Sequence, residues 1–356
     1  MSAPPVRVAI CADSHAYAEG LRRFLETDRR LSVETIATSA EALLGGLRAA
    51  RPDLITMDLE LPGIDGVEAI RRIRATRPTP IVVVSTRTLA GNDGLVAAAL
   101  AAGATEIVQK DAVRLDRRLT PQAVALRRRL ARLARDDALP ARSAPPLPPL
   151  SPAGPVGESA GPGGLPDPSV ATVVGVAASA GGPTALAEVL GLLPADFGLP
   201  VLVVQHISDG YAKGLASWLD GVIPLPVRLA RDGERAGPGV AIAPDGAHLL
   251  LTPDGRLRLD RQTVRGFHRP SADVLLESLA HARGPGAVAV VLTGIGRDGA
   301  AGVAAVRAAG GVALAEHFDD ASLPGMPAAA HRAGATSLER AELGLTLAAL
   351  SGSAVR

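Results

Sequence analysis

VVGVAASAGGP, the stretch at residues 173–183, shows most directly how this chain folds. Its first six residues are apolar or small, as in a strand that is buried on both faces of a parallel sheet. Gly181, Gly182 and Pro183 mark a turn, and the amphipathic stretch Thr184–Leu193 follows as a predicted helix. A strand, a turn and a helix in this order form the repeating unit of a doubly wound α/β sheet. We therefore predict this fold class for the C-terminal part of the chain.

The same alternation recurs through residues 169–351, which we take as the C-terminal domain. Buried strands are predicted at the aliphatic runs Thr172–Ala177, Val201–Gln205, Val288–Leu292 and Val312–Ala315. Residues 239–260 differ, because two apolar runs there flank the turn sequence Pro253-Asp254-Gly255. We predict a doubly wound parallel sheet with an appended β-hairpin.

Residues 5–120 also alternate short aliphatic runs with longer amphipathic segments, and we take them as the N-terminal domain. The predicted strands are Val6–Cys11, Ser32–Ala37, Leu54–Asp58, Ile81–Ser85 and Glu106–Lys110. The predicted helices are His15–Thr27, Ser39–Ala50, Gly66–Arg77 and Gly91–Ala102. Five such units predict a five-stranded, doubly wound sheet of the flavodoxin-like kind.

Residues 121–168 connect the two domains. A basic helix is predicted over residues 119–136, whereas residues 140–168 are dense in Pro, Gly, Ser and Ala. The second stretch has almost no large apolar side chain and cannot bury a core. We interpret it as an interdomain tether.

Composition narrows the classes of function. A chain of 356 residues exceeds the usual size of one core, which also favours two domains. Lys and Arg number 37 and Asp and Glu 36, spread over both halves, so nucleic-acid binding is not expected. The single cysteine, Cys11, excludes an intramolecular disulfide and suits a reducing compartment. No export signal or membrane-spanning apolar stretch is visible, so we expect a cytoplasmic protein that does not insert into a membrane.

Four polar residues lie at the ends of the predicted N-terminal strands. Asp13 follows the first strand, and Asp58, Ser85 and Lys110 close the third, fourth and fifth. Because the carboxyl ends of parallel strands meet at one edge, we expect these side chains to converge there. Two carboxylates suit Mg²⁺, which prefers oxygen ligands. Lys110 and Ser85 would then face an incoming phosphoryl group.

Three polar residues lie at corresponding places in the C-terminal domain: Ser179, His206 and Asp298. A serine hydroxyl becomes a nucleophile when a base removes its proton, and a carboxylate orients that base. Each residue taken alone has a plainer interpretation. Ser179 would cap a helix or belong to a phosphate-binding turn, His206 would be a hydrogen-bonded strand-end residue, and Asp298 would cap a helix. Together at one sheet edge they favour a catalytic triad.

The string DLELPGIDG, residues 58–66, resembles the response-regulator receiver family. Receivers place an aspartate before a Pro-containing loop and Asp-Gly, and the resemblance covers about residues 5–120. It implies that a histidine kinase phosphorylates Asp58. It also implies that Asp13, Asp58 and the Glu60 carbonyl bind the Mg²⁺ ion, and that the switch residues are Ser85 and Lys110.

The chain departs from the receiver pattern at three positions. Ala12 stands where receivers carry a second acidic residue, which implies a weakened Mg²⁺ site. Ile107 replaces a common aromatic residue, and Asp111 follows Lys110 where receivers commonly have Pro. The resemblance therefore implies an altered switch.

Five ordered motifs resemble the chemotaxis protein-glutamate methylesterase family, known as the CheB type. They are AASAGGP (177–183), QH (205–206), HRPSADVL (268–275), LTGIGRDGA (292–300) and GMP (325–327). The resemblance implies that the chain hydrolyses glutamyl γ-methyl esters of methyl-accepting chemotaxis receptors and deamidates receptor glutamines. Ser179 would attack the carbonyl, His206 would act as base and Asp298 would orient it, with no cofactor in the hydrolase.

Several residues near these motifs leave alternatives open. Ala180 and Ile295 replace a Thr and a Met that are usual in the family, and their effect on the rate is not assigned. Backbone amides near Ala180, His206 and Ile295 are candidates for an oxyanion hole. Arg269 suits either a substrate carboxylate or a structural role. Four scattered histidines lack metal-ligand spacing and are expected to be ordinary: His248, His281, His317 and His331.

Two other functions compete with the hydrolase. A non-enzymatic scaffold would explain the departures at Ala12, Ile107 and Ala180, but the intact Ser179 and its two partners argue against it. A nucleotide-binding module would use Gly181-Gly182, yet no complete phosphate-loop or dinucleotide motif accompanies them.

Overall fold

The computed structural model describes residues 4–76, 79–85, 93–113, 119–136, 170–207, 210–263, 268–318 and 320–350. The predicted tether at 140–168 lies outside the described residues. So do Arg77 and Gly91, each at one end of a predicted helix, and residue 351, the predicted end of the C-terminal domain.

Five parallel strands form the N-terminal sheet, and helices connect them. The strands are β1 (Val6–Cys11), β2 (Leu31–Ala37), β3 (Leu54–Met57), β4 (Ile81–Ser85) and β5 (Glu106–Gln109). The helices are α1 (His15–Leu25), α2 (Ala40–Ala50), α3 (Gly66–Thr76), α4 (Asp93–Ala101), α5 (Lys110–Val113) and α6 (Pro121–Asp136). The sheet order is β2-β1-β3-β4-β5, which confirms the predicted flavodoxin-like fold.

Burial explains why these runs become strands. Every residue of β3 and β4 is buried, as expected for central strands with helices on both faces. We predicted that Lys110 ends β5, but β5 ends at Gln109 and Lys110 begins the short helix α5. Its amino group nevertheless lies at the carboxyl edge of the sheet, because α5 begins where β5 ends.

A seven-stranded parallel sheet forms the core of the C-terminal part. Its strands are β6 (Val173–Ala178), β7 (Pro200–Gln205), β8 (Val227–Leu229), β9 (Gly239–Ile242), β12 (Ala287–Val291), β13 (Val312–Glu316) and β14 (Thr336–Leu338). The order is β14-β13-β12-β6-β7-β9-β8, so β6 lies between β12 and β7. The helices are α7 (Gly182–Leu190), α8 (Ala212–Val222), α9 (Ala272–Arg283), α10 (Ala300–Ala308), α11 (Gly325–Arg332) and α12 (Arg340–Ala348).

The appended hairpin is shorter than the predicted stretch 239–260. Strands β10 (His248–Leu251) and β11 (Leu257–Asp260) pair antiparallel around the predicted turn, where Gly255 adopts a φ of +83°. The beginning of the stretch, Gly239–Ile242, instead becomes β9 of the main sheet. All four residues of β9 are buried, a pattern that suits an inner parallel strand.

The two parts of the chain share buried surface. Tyr211, at the start of α8, is 1% exposed and packs in the same hydrophobic cluster as Ala99 and Leu100 of α4. Ala180 and Leu323 likewise join a cluster that contains residues of β1 and α6. In the described residues, no helix combines the length and apolarity needed to cross a bilayer.

Helices α9 and α10 pack closely at a glycine. A Cβ atom on Gly302 of α10 would lie 2.4 Å from Cβ of Leu276 and 3.3 Å from the Asp273 carbonyl oxygen. Neither atom is the end of a flexible side chain, so the close approach of the two helices requires glycine at this position.

We predict that Gly302→Ala destabilises the protein, because overpacking in a core typically costs about 1–3 kcal/mol. Gly45→Ala is the matched control, since a Cβ at Gly45 of α2 meets no atom within 4 Å. Alanine there should raise the free energy of unfolding by up to about 1 kcal/mol. Urea unfolding of both variants measures the difference, and a Gly302→Ala protein as stable as the wild type would contradict the packing argument.

Candidate active site and phospho-acceptor site

Three adjacent strands of the C-terminal sheet bring Ser179, His206 and Asp298 to one edge. Ser179 follows β6 at the centre, His206 follows β7 on one side, and Asp298 lies in the loop after β12 on the other. The Ser179 amide donates to the Thr293 carbonyl at 2.9 Å, and the His206 amide donates to the Ala178 carbonyl at 2.9 Å. These bonds extend the sheet ladder beyond the strands and hold the three loops in register.

The turn that carries Ser179 depends on small residues. A Cβ on Gly182 would lie 2.0 Å from Oε1 of Gln205, and Gly181 adopts a φ of +75°, which favours glycine. Helix α7 begins after Gly181 and has no side-chain cap, so Ser179 does not cap it. Ser179 is 8% exposed, and its carbonyl accepts bonds from the Gly182 amide and from Nε2 of Gln205.

His206 and Asp298 form a buried pair. Nε2 of His206 lies 2.8 Å from Oδ2 of Asp298, and the two side chains are 6% and 10% exposed. Nδ1 of His206 is buried and has no hydrogen-bond partner among the described residues. No bond between the Ser179 hydroxyl and this ring is present, so the structure joins two members of the predicted triad and places the third on the neighbouring strand end.

Asp298 does not cap the helix that follows it. Helix α10 begins after Gly299, and Asp298 instead accepts bonds at the start of α9. The donors are Oγ of Ser271 at 2.9 Å, the Ala272 amide at 2.7 Å and the Asp273 amide at 3.0 Å. Burial alone would raise the pKa of Asp298, but the contact with His206 and these amides outweigh it and lower the pKa.

Asp273, in the first turn of α9, caps helix α10. Its Oδ1 accepts the amides of Gly299 and Gly302, both at 2.9 Å. Burial raises the pKa of Asp273, and the charge of Asp298 acts in the same direction, opposed by the two amides. Asp273, in the first turn of α9, therefore caps α10, and Asp298, just before α10, accepts the amides at the start of α9, which sets the position of Asp298.

A second buried carboxylate supports the loop after β12. Glu316 is 0% exposed, accepts the Thr293 amide at 2.6 Å and pairs with Nε of Arg340 at 2.6 Å. Oγ1 of Thr293 in turn donates to the Ala180 carbonyl at 3.0 Å, beside the nucleophile. The motifs did not reveal Glu316, although a charged residue at the end of the apolar run VALAE, residues 312–316, was a usable signal.

Two motif residues lie beside the triad. The His268 ring stacks on the His206 ring with centroids 4.2 Å apart and planes 11° apart. Burial of the imidazole, together with the charges of His206 and Arg129, lowers the pKa of His268 to about 4, although Asp298 opposes the shift. Arg269 donates to the Arg261 carbonyl at 2.7 Å, which favours the structural alternative for its guanidinium.

One oxyanion-hole candidate is excluded. The His206 amide already donates to Ala178 in the sheet ladder, so it is not free to bind a developing oxyanion. Within the described part of the chain, no backbone carbonyl accepts from the amides of Ala180 and Ile295, the other two candidates.

The four N-terminal residues predicted to converge do lie at one sheet edge. Asp58 is 6% exposed, its Oδ2 contacts Nζ of Lys110, and that amino group also lies 4.6 Å from the centroid of the Tyr17 ring. Burial raises the pKa of Asp58, Lys110 opposes this shift, and the charge of Asp13 adds to it. Ser85 is buried at the end of β4, and the Glu60 amide donates to Asp58.

The donor set around Asp58 suits a hard cation with few protein ligands. Asp13 is exposed and close enough to Asp58 for its charge to act there, and both offer carboxylate oxygens. Ala12, 2% exposed, contributes none. Among the described residues, no group of three or more His, Cys, Asp or Glu side chains is arranged for metal binding. A magnesium ion fits here only with most of its shell supplied by water, carbonyl or phosphoryl oxygens.

The N-terminal part covers the nucleophile turn. The Gly181 amide donates to the Thr105 carbonyl at 3.3 Å, and Oγ1 of Thr184 donates to the Leu100 carbonyl at 3.4 Å. Leu100 lies at the end of α4 and Thr105 lies just before β5, and both donors lie within five residues of Ser179. The first turn of α7, a favourable place for negative charge, thus holds a carbonyl oxygen of the other domain.

Helix α6 adds a charged contact near the same place. Arg129 pairs with the buried carboxylate of Glu106 on β5 at 2.8 Å, and its charge lowers the pKa of His268. The predicted basic helix therefore reaches from the N-terminal sheet to the vicinity of His206.

Both the N-terminal and the C-terminal part of the chain are similar in sequence to known proteins. The sequence model of the CheB methylesterase family matches residues 174–346, and that of the response regulator receiver domain matches residues 8–119. A protein-glutamate methylesterase/protein-glutamine glutaminase of Anaeromyxobacter dehalogenans is 41% identical over 92% of this chain and 94% of its own length. One from Myxococcus xanthus is 40% identical over 92% and 91%. The catalytic domain of Thermotoga maritima CheB methylesterase is 34% identical, covers 51% of this chain and 98% of its own, and superposes with a TM-score of 0.49.

Proposed function

The chain belongs to the protein-glutamate methylesterase/protein-glutamine glutaminase family, and we propose that Ser179, His206 and Asp298 perform the hydrolysis that this family catalyses. The protein is a methylesterase and glutaminase whose receiver domain makes it subject to phosphorylation. We propose residues 5–120 as the receiver domain, 121–168 as helix and linker, and 169–351 as the catalytic domain. The single observation that carries the mechanism is the buried contact of His206 with Asp298 beside the strand that ends at Ser179.

The acylation step uses the free nitrogen of His206. Since Nε2 contacts Asp298, Nδ1 is the nitrogen available to take the Ser179 proton. The serine oxygen bonds to the carbonyl carbon of the substrate, and the C–O bond to methoxide or the C–N bond to the amide nitrogen then breaks. His206 returns the proton to the leaving group, which departs as methanol or ammonia.

Deacylation repeats these steps with water. His206 takes a proton from water, the hydroxide attacks the ester carbonyl, and the C–O bond to Ser179 breaks as the serine regains a proton. The product is a glutamate side chain in both reactions. Asp298 holds the imidazole and stabilises its cation, and it stays ionised because His206 and the α9 amides lower its pKa.

The oxyanion is assigned to the amides of Ala180 and Ile295. Both belong to loops that Thr293 ties together through its contacts with Ala180 and Ser179. Backbone donors held in this way need no reorganisation as charge develops on the carbonyl oxygen. This mechanism uses no cofactor in the catalytic domain.

The receiver site is proposed to accept a phosphoryl group on Asp58 from a histidine kinase. Asp13, Asp58 and the Glu60 carbonyl would hold Mg²⁺, whose charge offsets that of the phosphoryl oxygens. Lys110 already contacts Asp58, and it would follow the new phosphoryl group together with Ser85. The substrates are chemotaxis receptors in general, and these partners imply a cytoplasmic place of action.

The unphosphorylated receiver is proposed to block the active site. The Thr105 carbonyl occupies the Gly181 amide, two residues from Ser179, and Tyr211 anchors the His206 loop in the receiver core. A substrate carbonyl cannot enter while these contacts persist. Phosphorylation at Asp58 would weaken them by moving the neighbouring strand ends.

Ser179→Ala should lower the release of methanol from methylated receptor at least about a thousandfold, because the acyl-enzyme cannot form. Ser217→Ala is the control, since Ser217 is an exposed residue of α8 and should leave the rate unchanged. Equal rates for Ser179→Ala and the wild type would refute the nucleophile.

Asp58→Asn should abolish acid-labile phosphate labelling by the cognate histidine kinase, because an amide cannot form an acyl phosphate. Asp196→Asn, at an exposed carboxylate of the catalytic domain, should be labelled like the wild type. If the wild type takes up no label at saturating Mg²⁺, the phospho-acceptor assignment fails.

Removal of residues 1–165 should raise the basal rate of methanol release, because the carbonyls of Leu100 and Thr105 no longer cover the α7 turn. The phosphorylated full-length protein is the comparison, and its rate should approach that of the truncated one. A truncated protein that is folded by circular dichroism but no faster than the full-length protein would contradict the blocking contact.

A further inference from the structure

We propose that His248 is a positioning residue for catalysis, acting through Ser271 on Asp298. His248 lies on β10 of the appended hairpin, outside the main sheet, and was expected to be an ordinary histidine. It is 1% exposed, and both of its ring nitrogens are within hydrogen-bond distance of backbone atoms. The inference rests on the proposed role of Asp298 and adds a residue that the triad motifs do not contain.

The two contacts define the protonation of the His248 ring. The Ser271 amide donates to Nδ1 at 3.1 Å, so Nδ1 carries no proton. Nε2 lies 3.2 Å from the Thr263 carbonyl, which can only accept, so Nε2 carries the proton and donates. The ring is therefore neutral, with one defined tautomer, and it joins two backbone segments.

Ser271 links this ring to the triad. It is the N-cap of α9, but its hydroxyl does not cap its own helix and donates instead to Oδ1 of Asp298. The next two amides, of Ala272 and Asp273, donate to the same carboxylate. A displacement of Ser271 would thus move three donors of Asp298 together, and with them the carboxylate that orients His206.

The hairpin holds the other end of the link. His248 pairs with Asp260 across β10 and β11, and Asp260 accepts the Thr263 amide at 3.0 Å and its hydroxyl at 2.5 Å. These bonds fix the Thr263 carbonyl, which accepts the hydrogen bond from Nε2 of His248. The contribution of the hairpin to catalysis is accordingly a fixed acceptor for the amide of Ser271, the N-cap of α9.

Two substitutions separate the two contacts of His248. In His248→Asn the amide oxygen lies about as far from the backbone as Nδ1 and can accept from Ser271, but nothing reaches Thr263. In His248→Gln the longer amide reaches Thr263 as Nε2 does, and the buried Ser271 amide loses its acceptor. Ser271 is 3% exposed, so its amide finds no replacement partner in the Gln variant, whereas Thr263 is exposed and water can replace the lost donor in the Asn variant.

The test measures kcat and KM for methanol release from methylated receptor, using the full chain with its phosphodonor. We expect His248→Asn to keep the larger part of kcat and His248→Gln to lose roughly tenfold, with KM unchanged in both, since only the positioning of Asp298 differs. His281→Gln, the same change at an exposed residue of α9, should behave like the wild type.

A double-mutant cycle adds a readout that a purely structural role would not change. If His248 acts through Ser271, His248→Gln should cost less in a Ser271→Ala background than alone, because the hydroxyl link to Asp298 is already missing. Additive effects, or kcat values that follow the unfolding midpoints of the variants, would overturn the proposal, as would equal losses in the Asn and Gln variants.

The outcomes also distinguish this inference from the proposed function. A wild type that releases no methanol, or a Ser179→Ala variant that does, refutes the proposed chemistry and leaves no rate to position. An active wild type with an inactive Ser179→Ala variant, together with equal Asn and Gln variants, overturns the role of His248 alone.

Discussion

The buried carboxylate of Asp298 imposes the constraint on which the catalytic half depends. A charge removed from water must be compensated by a partner and by hydrogen bonds, or it neutralises. Here the partner is His206, and the donors come from the first turn of α9. Helix α9 must therefore begin beside the loop after β12, which brings it against α10 at Gly302 and places Asp273 at the start of α10. The contacts that pack α9 against α10 thus also hold the carboxylate that pairs with His206.

The same sheet edge serves as active site and as domain interface. Carboxyl ends of parallel strands and the first turns of helices present unpaired amides, which suit a developing oxyanion and equally suit a carbonyl from another domain. The Gly181 amide is bonded to Thr105 of the receiver at 3.3 Å. The proposed regulation rests on this contact, because a substrate that bound at the start of α7 would compete with the receiver for the same amide.

The receiver shows what a missing charge changes. Asp58 is buried and bonded to Lys110, and the raised pKa of its carboxyl reflects burial that the lysine only partly offsets. Ala12 brings no second charge, and Asp13 is a neighbouring carboxylate whose charge adds to this shift.

Much of this was open to prediction from sequence. Aliphatic runs bounded by Gly and Pro predict the five N-terminal strands and four of the seven strands of the C-terminal sheet. A parallel strand that is buried on both faces is apolar along its length, so it can be recognised without knowing which strands it pairs with. The carboxyl ends of parallel strands meet at one edge of a sheet. This rule predicts that the polar residues at these ends, Ser179, His206 and Asp58 among them, lie at such an edge. Strands β8 and β14 were not predicted, since three residues carry too little pattern, and β9 was wrongly assigned to the hairpin.

The sequence by itself indicated the segments that form the strands, the three residues proposed as the triad, and the family. Only the tertiary structure decided which helix Asp298 caps and that the Ser271 hydroxyl donates to Asp298 rather than to its own helix. It also decided that His248 accepts the Ser271 amide and that Glu316 accepts the Thr293 amide. These contacts join residues between 23 and 27 positions apart. Local sequence specifies which groups can donate and accept, but the partner of a buried group is chosen by the packing of distant elements.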